Sequence, residues 1–425
     1  MDRFIKKIKS NTYLLQIMTL MSGTLIAQIV MFAFIPILTR LYTPSEFGLY
    51  SLFFALASMI GSISSGNYEQ AIMLPKSNRD AQALVFLSII VTIFIVAILS
   101  IILIIFYDFF LKYFQNHSYL IWILPISTLI IGLMQIFDAY STRKEFYKKI
   151  AQIKIIASLT TISTQTTSKY IFNLNGLIGG KIISDIFALF LLILFHIKKQ
   201  TLQLKYISKR GLKLNMKKYQ NFPKYQSLST LINAFSQNIP LLMFNALFSP
   251  AIAGFYSLTA RAMQAPLLLV SSSTKSVFYQ KVSSIYANGG DIYPIYIKTT
   301  LGLLKLFILP LLAILFFGQE LFTIVFGQEW TTSGFIAQIV IFWFMFSFIS
   351  PPTTVMFNIY GLQGIRLMIQ TVTLIFRVLS IYIGYYFYNS YVIALILFVI
   401  VGVLHNGGVM IYIYKKIKKT RREIL

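Results

Sequence analysis

Leu41-Tyr-Thr-Pro-Ser-Glu-Phe-Gly-Leu-Tyr-Ser-Leu52 returns 206 residues later as Leu247-Phe-Ser-Pro-Ala-Ile-Ala-Gly-Phe-Tyr-Ser-Leu258. Leu, Pro, Gly, Tyr, Ser and Leu coincide, and aromatic or hydroxyl residues replace their like at two further places. Each copy stands between two long apolar runs, at the same point of its half of a 425-residue chain. Pro and Gly recur in turns by chance, but chance does not conserve topological position. The chain therefore reads as a duplication, and the fold follows from what is duplicated.

Each half carries six apolar runs. With 57% hydrophobic and only 12% charged residues, and a mean hydropathy of +0.74, the chain has too little polar surface to face water all round. In lipid the backbone must satisfy itself, which leaves helices or a closed barrel. Runs of about 20 residues without alternation select helices. The expected spans are 14–38, 47–71, 81–107, 119–139, 150–171 and 177–197, then 225–247, 251–275, 299–317, 334–358, 366–388 and 391–413. Six is even, so both halves run in the same sense, as in one class of secondary transporters. The expected fold is an all-α integral membrane protein of twelve transmembrane helices. They form two six-helix lobes related by a pseudo-twofold axis along the membrane normal. The lobes are 1–200 and 225–413, joined by a basic linker at 201–224 and followed by a basic tail at 414–425. Spans five and seven are rich in Ser, Thr, Gln and Asn, and helices that polar belong in a bundle interior or a wet cavity.

The net charge is +25, and most of the 37 Lys and Arg fall on one side of this topology. That side holds Arg3 to Lys9, Lys76, Arg79, Arg143 to Lys149, the acid-free stretch Lys198 to Lys224, Lys275, Lys281, Lys298, Arg366 and Lys415 to Arg422. The other side holds Arg40, Lys112, Lys169 and the acids Glu46, Asp108, Glu320 and Glu329. The positive-inside rule makes the first side cytoplasmic, with both termini inside a plasma or inner membrane. Cations spread over every inner loop suit anionic lipid headgroups, so nucleic acid is not an expected partner. The apolar stretch Leu14–Leu38 is too long for a signal peptide core and lacks a cleavage site, and is read as an uncleaved span.

Chemistry of the enzymatic kind finds no foothold. There is no cysteine, which removes disulfides and thiolate chemistry. His117, His196 and His405 stand apart, no HExxH or phosphate-cradling glycine loop occurs, and no cofactor or metal is expected. The outer connections are too short for the acid–base machinery of a glycan polymerase. Gly176 and Gly180 have helix-packing spacing, and Lys181 and Asp185 are placed for an ion pair one turn apart. The candidate site residues are charges inside spans, which are costly in lipid. Arg261 and Arg377 lie about ten and eleven residues into spans eight and eleven, near the bilayer centre at 1.5 Å per residue. Two guanidiniums at one depth suit a phosphate, which arginine grips by paired hydrogen bonds; the alternative is that each pairs with a helix carbonyl or with Glu69 or Asp138. Lys154 and Lys305 sit near inner helix ends and can snorkel. Glu69 and Asp138 are candidates for coupling to a proton or sodium ion.

At these residues the chain resembles the polysaccharide-export flippases of the multidrug, oligosaccharidyl-lipid and polysaccharide exporter superfamily. The resemblance is carried by Leu38-Thr-Arg-Leu-Tyr-Thr-Pro-Ser-Glu-Phe-Gly-Leu-Tyr50, Asn67-Tyr-Glu-Gln-Ala-Ile-Met-Leu-Pro75, Gly254-Phe-Tyr-Ser-Leu258 with Arg261 and Pro266, Val277-Phe-Tyr279, and Phe326-Gly-Gln-Glu-Trp330. It implies a non-enzymatic flippase that carries an undecaprenyl-diphosphate-linked oligosaccharide, an O-antigen or capsular repeat unit, from the cytoplasmic to the outer leaflet by alternating access. It also implies a cationic cavity between the halves, with Arg261, Arg377, Arg40 and Lys154 as substrate-binding candidates and a polysaccharide polymerase and chain-length proteins as partners. A cation-coupled multidrug exporter of the same fold is the alternative, and a membrane glycan polymerase a weaker one. Multidrug exporters typically bind cations with acidic residues, so a cationic midplane favours the glycolipid.

Overall fold

A computed structural model describes residues 12–172, 176–202 and 208–424. The described residues form helices and turns without a strand. In chain order the helices are α1 (Thr12–Leu41), α2 (Pro44–Gly61), α3 (Tyr68–Ala71), α4 (Asn78–Ile105), α5 (Tyr107–Tyr113), α6 (Ser118–Arg143), α7 (Tyr147–Phe172) and α8 (Gly176–Lys198). They continue as α9 (Lys209–Lys218), α10 (Ser227–Leu247), α11 (Pro250–Ala287), α12 (Tyr293–Phe326), α13 (Thr331–Ile349), α14 (Pro351–Ile359), α15 (Gln363–Tyr386) and α16 (Tyr391–Ile424). Each expected span has a helix at its core, and two of the spans are divided between two helices. Eight are long and apolar enough to cross a membrane on those grounds alone. α2, α7, α10 and α11, which hold spans two, five, seven and eight, fall short of that apolarity. On α4 the side chains of Ile90, Ile93, Phe94, Ile101 and Ile104 are exposed, an apolar face that only lipid would cover without cost.

Two of the expected spans are broken. The second ends at Gly61, where Ser62 and Ser64 turn their hydroxyls back to the carbonyls of Met59 and Gly61 at 2.7 and 2.8 Å. Gly66 and Asn67 then adopt consecutive left-handed conformations, φ 62° and 54°. Serine hydroxyls competing for backbone, followed by two left-handed residues, end a helix. The tenth span breaks at Ser350, because Pro351 and Pro352 supply no N–H to continue the ladder; they start α14 instead.

The chain clusters into two compact units. One comprises the described residues up to Tyr42 with Leu49–Asn238, and the other Thr43–Gly48 with Ile239–Leu425. The first unit thus runs on through the described part of the expected linker: α9 packs on α4, and Ser227 and Thr230 of α10 bond the buried Asn67 side chain at 3.1 Å each. The arginines and lysines expected before residue 12, and Lys205, lie outside the described residues.

Helix packing repeats between the units. In the first, α4 packs on α6, α7 on α8, and α6 on α8; in the second, α12 packs on α13, α15 on α16, and α13 on α16. These are the same pairs in the numbering of spans. In the first unit α7 also packs along α1. The polar face of α7 is turned to α8: Thr160 and Thr161 meet Ser184 at 2.8 Å, Thr164 donates to the Gly180 carbonyl at 2.6 Å, and Gln165 to that of Leu177 at 2.9 Å. A Cβ on Gly180 would stand 2.6 Å from the Gln165 nitrogen, so the Gly176–Gly180 spacing does bring the helices together. Lys181 and Asp185 form the ion pair that their spacing anticipates.

Candidate functional site

The duplicated stretch is a helix start used twice. Thr43 and Glu46 form a reciprocal capping box: the Thr43 N–H donates to Glu46 Oε2 at 2.7 Å, and the Glu46 N–H to Thr43 Oγ1 at 3.4 Å. Ser249 caps the second copy by accepting from the Ile252 N–H at 3.2 Å. Pro44 and Pro250 take the first helical position, where the missing N–H costs nothing. Within the second unit the two copies then meet. A Cβ on Gly48 would overlap the Pro250 carbonyl oxygen, and one on Gly254 would overlap that of Pro44. The fully buried Trp330 packs edge-on against Phe47 and Phe255, with ring centroids at 4.9 and 6.0 Å. Three of the separated motifs thus converge on one seam.

A fourth motif, Asn67–Pro75, forms a corner of the first unit. Arg143 donates to the carbonyls of Ile72 and Pro75 at 2.9 and 2.7 Å, and the Tyr68 hydroxyl to that of Met216 at 3.3 Å. Glu69 is buried in this corner and accepts a hydrogen bond from Ser65. On the neighbouring helices Asp138 and Lys154, both half-buried, attract one another. Arg40 is exposed at the end of α1.

In the second unit Arg377 of α15 lies inside the helix packing. Its guanidinium carbon stands 5.2 Å from the ring centre of Trp343 on α13 and 5.3 Å from that of Phe398 on α16. Stacking on two aromatic faces is a favourable lodging for a weakly hydrated cation. Its Nε is buried without a hydrogen-bond partner, and its charge reaches the buried Tyr256 of α11. Arg261 is half-buried on α11. The exposed Lys305 of α12 takes no part in this arrangement.

Sequence reasoning missed a cavity in the second unit. α14, α15 and α16 enclose about 140 Å³, lined by Ser350, Thr353, Thr354, Phe357, Arg366, Ile369, Gln370, His405, Asn406 and Val409. Arg366, expected in an inner loop, stands in the first turn of α15, and both it and Arg377 act on His405 through their charges. Thr373 Oγ1 donates to the Ile369 carbonyl at 2.8 Å and lies 2.6 Å from His405 Nδ1. A hydroxyl has one proton, so the ring donates through Nδ1 and leaves Nε2 open. The signal available in the sequence was the polar stripe Arg366, Gln370, Thr373 and Arg377 at helical spacing along α15.

Long helices with exposed apolar surfaces, and polar and cationic groups gathered within them, define a multi-pass membrane protein. The chain belongs to the polysaccharide biosynthesis protein family, whose profile matches residues 37–334, in agreement with the resemblance drawn from its motifs. A lipid II flippase MurJ in an inward closed conformation shares the fold, at a TM-score of 0.73 and 13% identity over 96% of this chain and 91% of that one. An inward-facing multidrug resistance transporter of the MATE family and MOP superfamily is similar at a TM-score of 0.66 and 13% identity, over 95% and 94%. A point mutant of the Vibrio cholerae MATE transporter VcmN is similar at 0.57 and 14%, over 94% and 96%. A search of curated protein sequences finds no match.

Proposed function

We propose that this protein is a flippase for an oligosaccharide carried on a polyprenyl diphosphate of the undecaprenyl type, an O-antigen or capsular repeat unit. It moves its substrate from the cytoplasmic to the outer leaflet of the plasma or inner membrane by alternating access, with both termini in the cytoplasm. The observation that carries this reading is the cationic interior of the second unit, where Arg366 lines a polar cavity without a lining carboxylate and the charge of the buried Arg377 acts on His405 of the same lining, in a chain of the polysaccharide biosynthesis protein family. A diphosphate brings about two negative charges that need cationic company in a low-dielectric core; a cationic drug would need carboxylates there. Arg261 and Arg377 are proposed to hold the diphosphate, with Arg40 and Lys154 as further contacts, and Glu69 and Asp138 to couple transport to a proton or sodium ion. A polysaccharide polymerase and chain-length proteins would act on the product outside.

The test is reconstitution into proteoliposomes loaded on one leaflet with a lipid-linked oligosaccharide, read by the fraction that an added glycosidase can reach. Protein-dependent exposure of the glycan is expected. Transport of a cationic dye without movement of the glycolipid would transfer the assignment to multidrug export.

A further inference from the structure

From the cavity at α14, α15 and α16 we infer an oxyanion subsite, separate from Arg261 and Arg377, that takes the phosphate groups of the substrate at another stage of its passage through the second unit; this rests on the flippase reading above. Arg366 lies in the first turn of α15, at the positive end of the helix dipole, where a cation is disfavoured. Arg366 shares the cavity lining with His405, and the charges of Lys275 on α11 and of Arg377 reach this neighbourhood as well. Like charges gathered around a cavity without a lining carboxylate raise the energy of the empty site, and an anion relieves it.

The lining supplies matching donors. Arg366 can present its planar fork to two phosphate oxygens. The amides of Gln370 and Asn406 offer N–H groups, and Asn406 makes a long 3.4 Å bond to Ser347 Oγ. Thr353 and Thr354 also line the cavity, the Thr353 hydroxyl being engaged by that of Tyr296 at 2.9 Å. The proline break at Ser350 makes the room: α13 stops and α14 restarts beside α15 and α16. A single water needs about 10–15 Å³ of such volume, so about 140 Å³ admits a diphosphate and excludes an oligosaccharide. The subsite therefore reads the carrier headgroup and leaves the glycan outside, which would let one protein tolerate variation in the sugar.

The same chemistry would hold free phosphate, so the test separates the sources. The full-length protein is purified in detergent and titrated with farnesyl diphosphate, inorganic pyrophosphate and farnesol. Farnesyl diphosphate should bind, farnesol should not, and Arg366→Gln should weaken binding roughly tenfold to a hundredfold. Arg366→Lys should recover part of the loss, since it restores charge without the fork. Asn406→Leu should cost severalfold. Unchanged affinity in Arg366→Gln that elutes as a folded protein would overturn the subsite, as would equal binding of farnesol. Pyrophosphate binding as tightly as its farnesyl ester would overturn the assignment to the lipid carrier and leave a free-anion site. Arg366-dependent binding in a protein that moves no glycolipid would remove the flippase reading and keep the subsite.

Discussion

Adding a methyl group at Gly254 tests the seam between the two repeat copies. A Cβ there would overlap the Pro44 carbonyl oxygen and stand 2.8 Å from the carbonyl carbon and 3.1 Å from the Gly48 nitrogen. At Gly48 the arrangement is reciprocal: overlap with the Pro250 oxygen, 2.7 Å to its carbon and 3.1 Å to the Gly254 nitrogen. Ordinary contact begins near 3.4 Å, so the helix starts must part by more than about an ångström. The obstacles are backbone atoms, which cannot rotate aside as a side chain could. Overpacking costs about 1–3 kcal/mol, and backbone obstruction puts each single Ala variant in the upper part of that range, about 2–3 kcal/mol. Once the starts have parted for one methyl, the second enters space already opened. The double variant should therefore cost about 3 kcal/mol, well short of the sum, with a coupling of about 1–3 kcal/mol. Denaturant unfolding in detergent, followed by Trp330 fluorescence with Trp122 and Trp343 replaced by Phe, measures all three variants. Additive costs, or a single variant within about 0.5 kcal/mol of the parent, would refute the reciprocal packing.

The Arg143 clamp on Ile72 and Pro75 predicts that Arg143→Ala destabilises by roughly 2–4 kcal/mol, since two charge-assisted hydrogen bonds to carbonyls are lost; limited proteolysis between residues 67 and 76 should accelerate, and an unchanged cleavage rate would count against the clamp. Reporter fusions after Lys209 and after Glu320 should report cytoplasm and exterior respectively, and the same side for both would sink the twelve-span topology. Arg261→Ala and Arg377→Ala should abolish glycan export while the protein stays inserted, with partial recovery by Lys, whereas Lys305→Ala should export normally; export by the double Ala variant would place the diphosphate elsewhere.

How much of this was legible in the sequence depends on the range of the interaction concerned. Eight of the expected spans are legible from run length and apolarity alone, because the cost of an unsatisfied backbone group in lipid is local and nearly independent of neighbours. The helix starts at Thr43 and Ser249 lie a few residues before the expected spans from 47 and 251, because a cap and a first-position proline act within four residues where hydropathy gives no signal. Gly176, Gly180 and the Lys181–Asp185 pair were legible from spacing on one helix. Other outcomes needed the tertiary structure. Hydropathy reports how deep a residue lies along a helix and is silent on which way it faces. Arg366 near a helix end therefore read as a loop cation, and His405 as a solitary histidine, until packing of α15 on α16 turned both onto one cavity. Arg377 was placed within its helix correctly, but its stacking on Trp343 and Phe398 depends on the rotation of three helices about their axes. The meeting of Gly48 with Gly254, and of Phe326–Trp330 with both repeat copies, joins residues some 70 to 290 positions apart. No periodicity records such a contact, because it is decided by which helix starts can approach once side chains are absent.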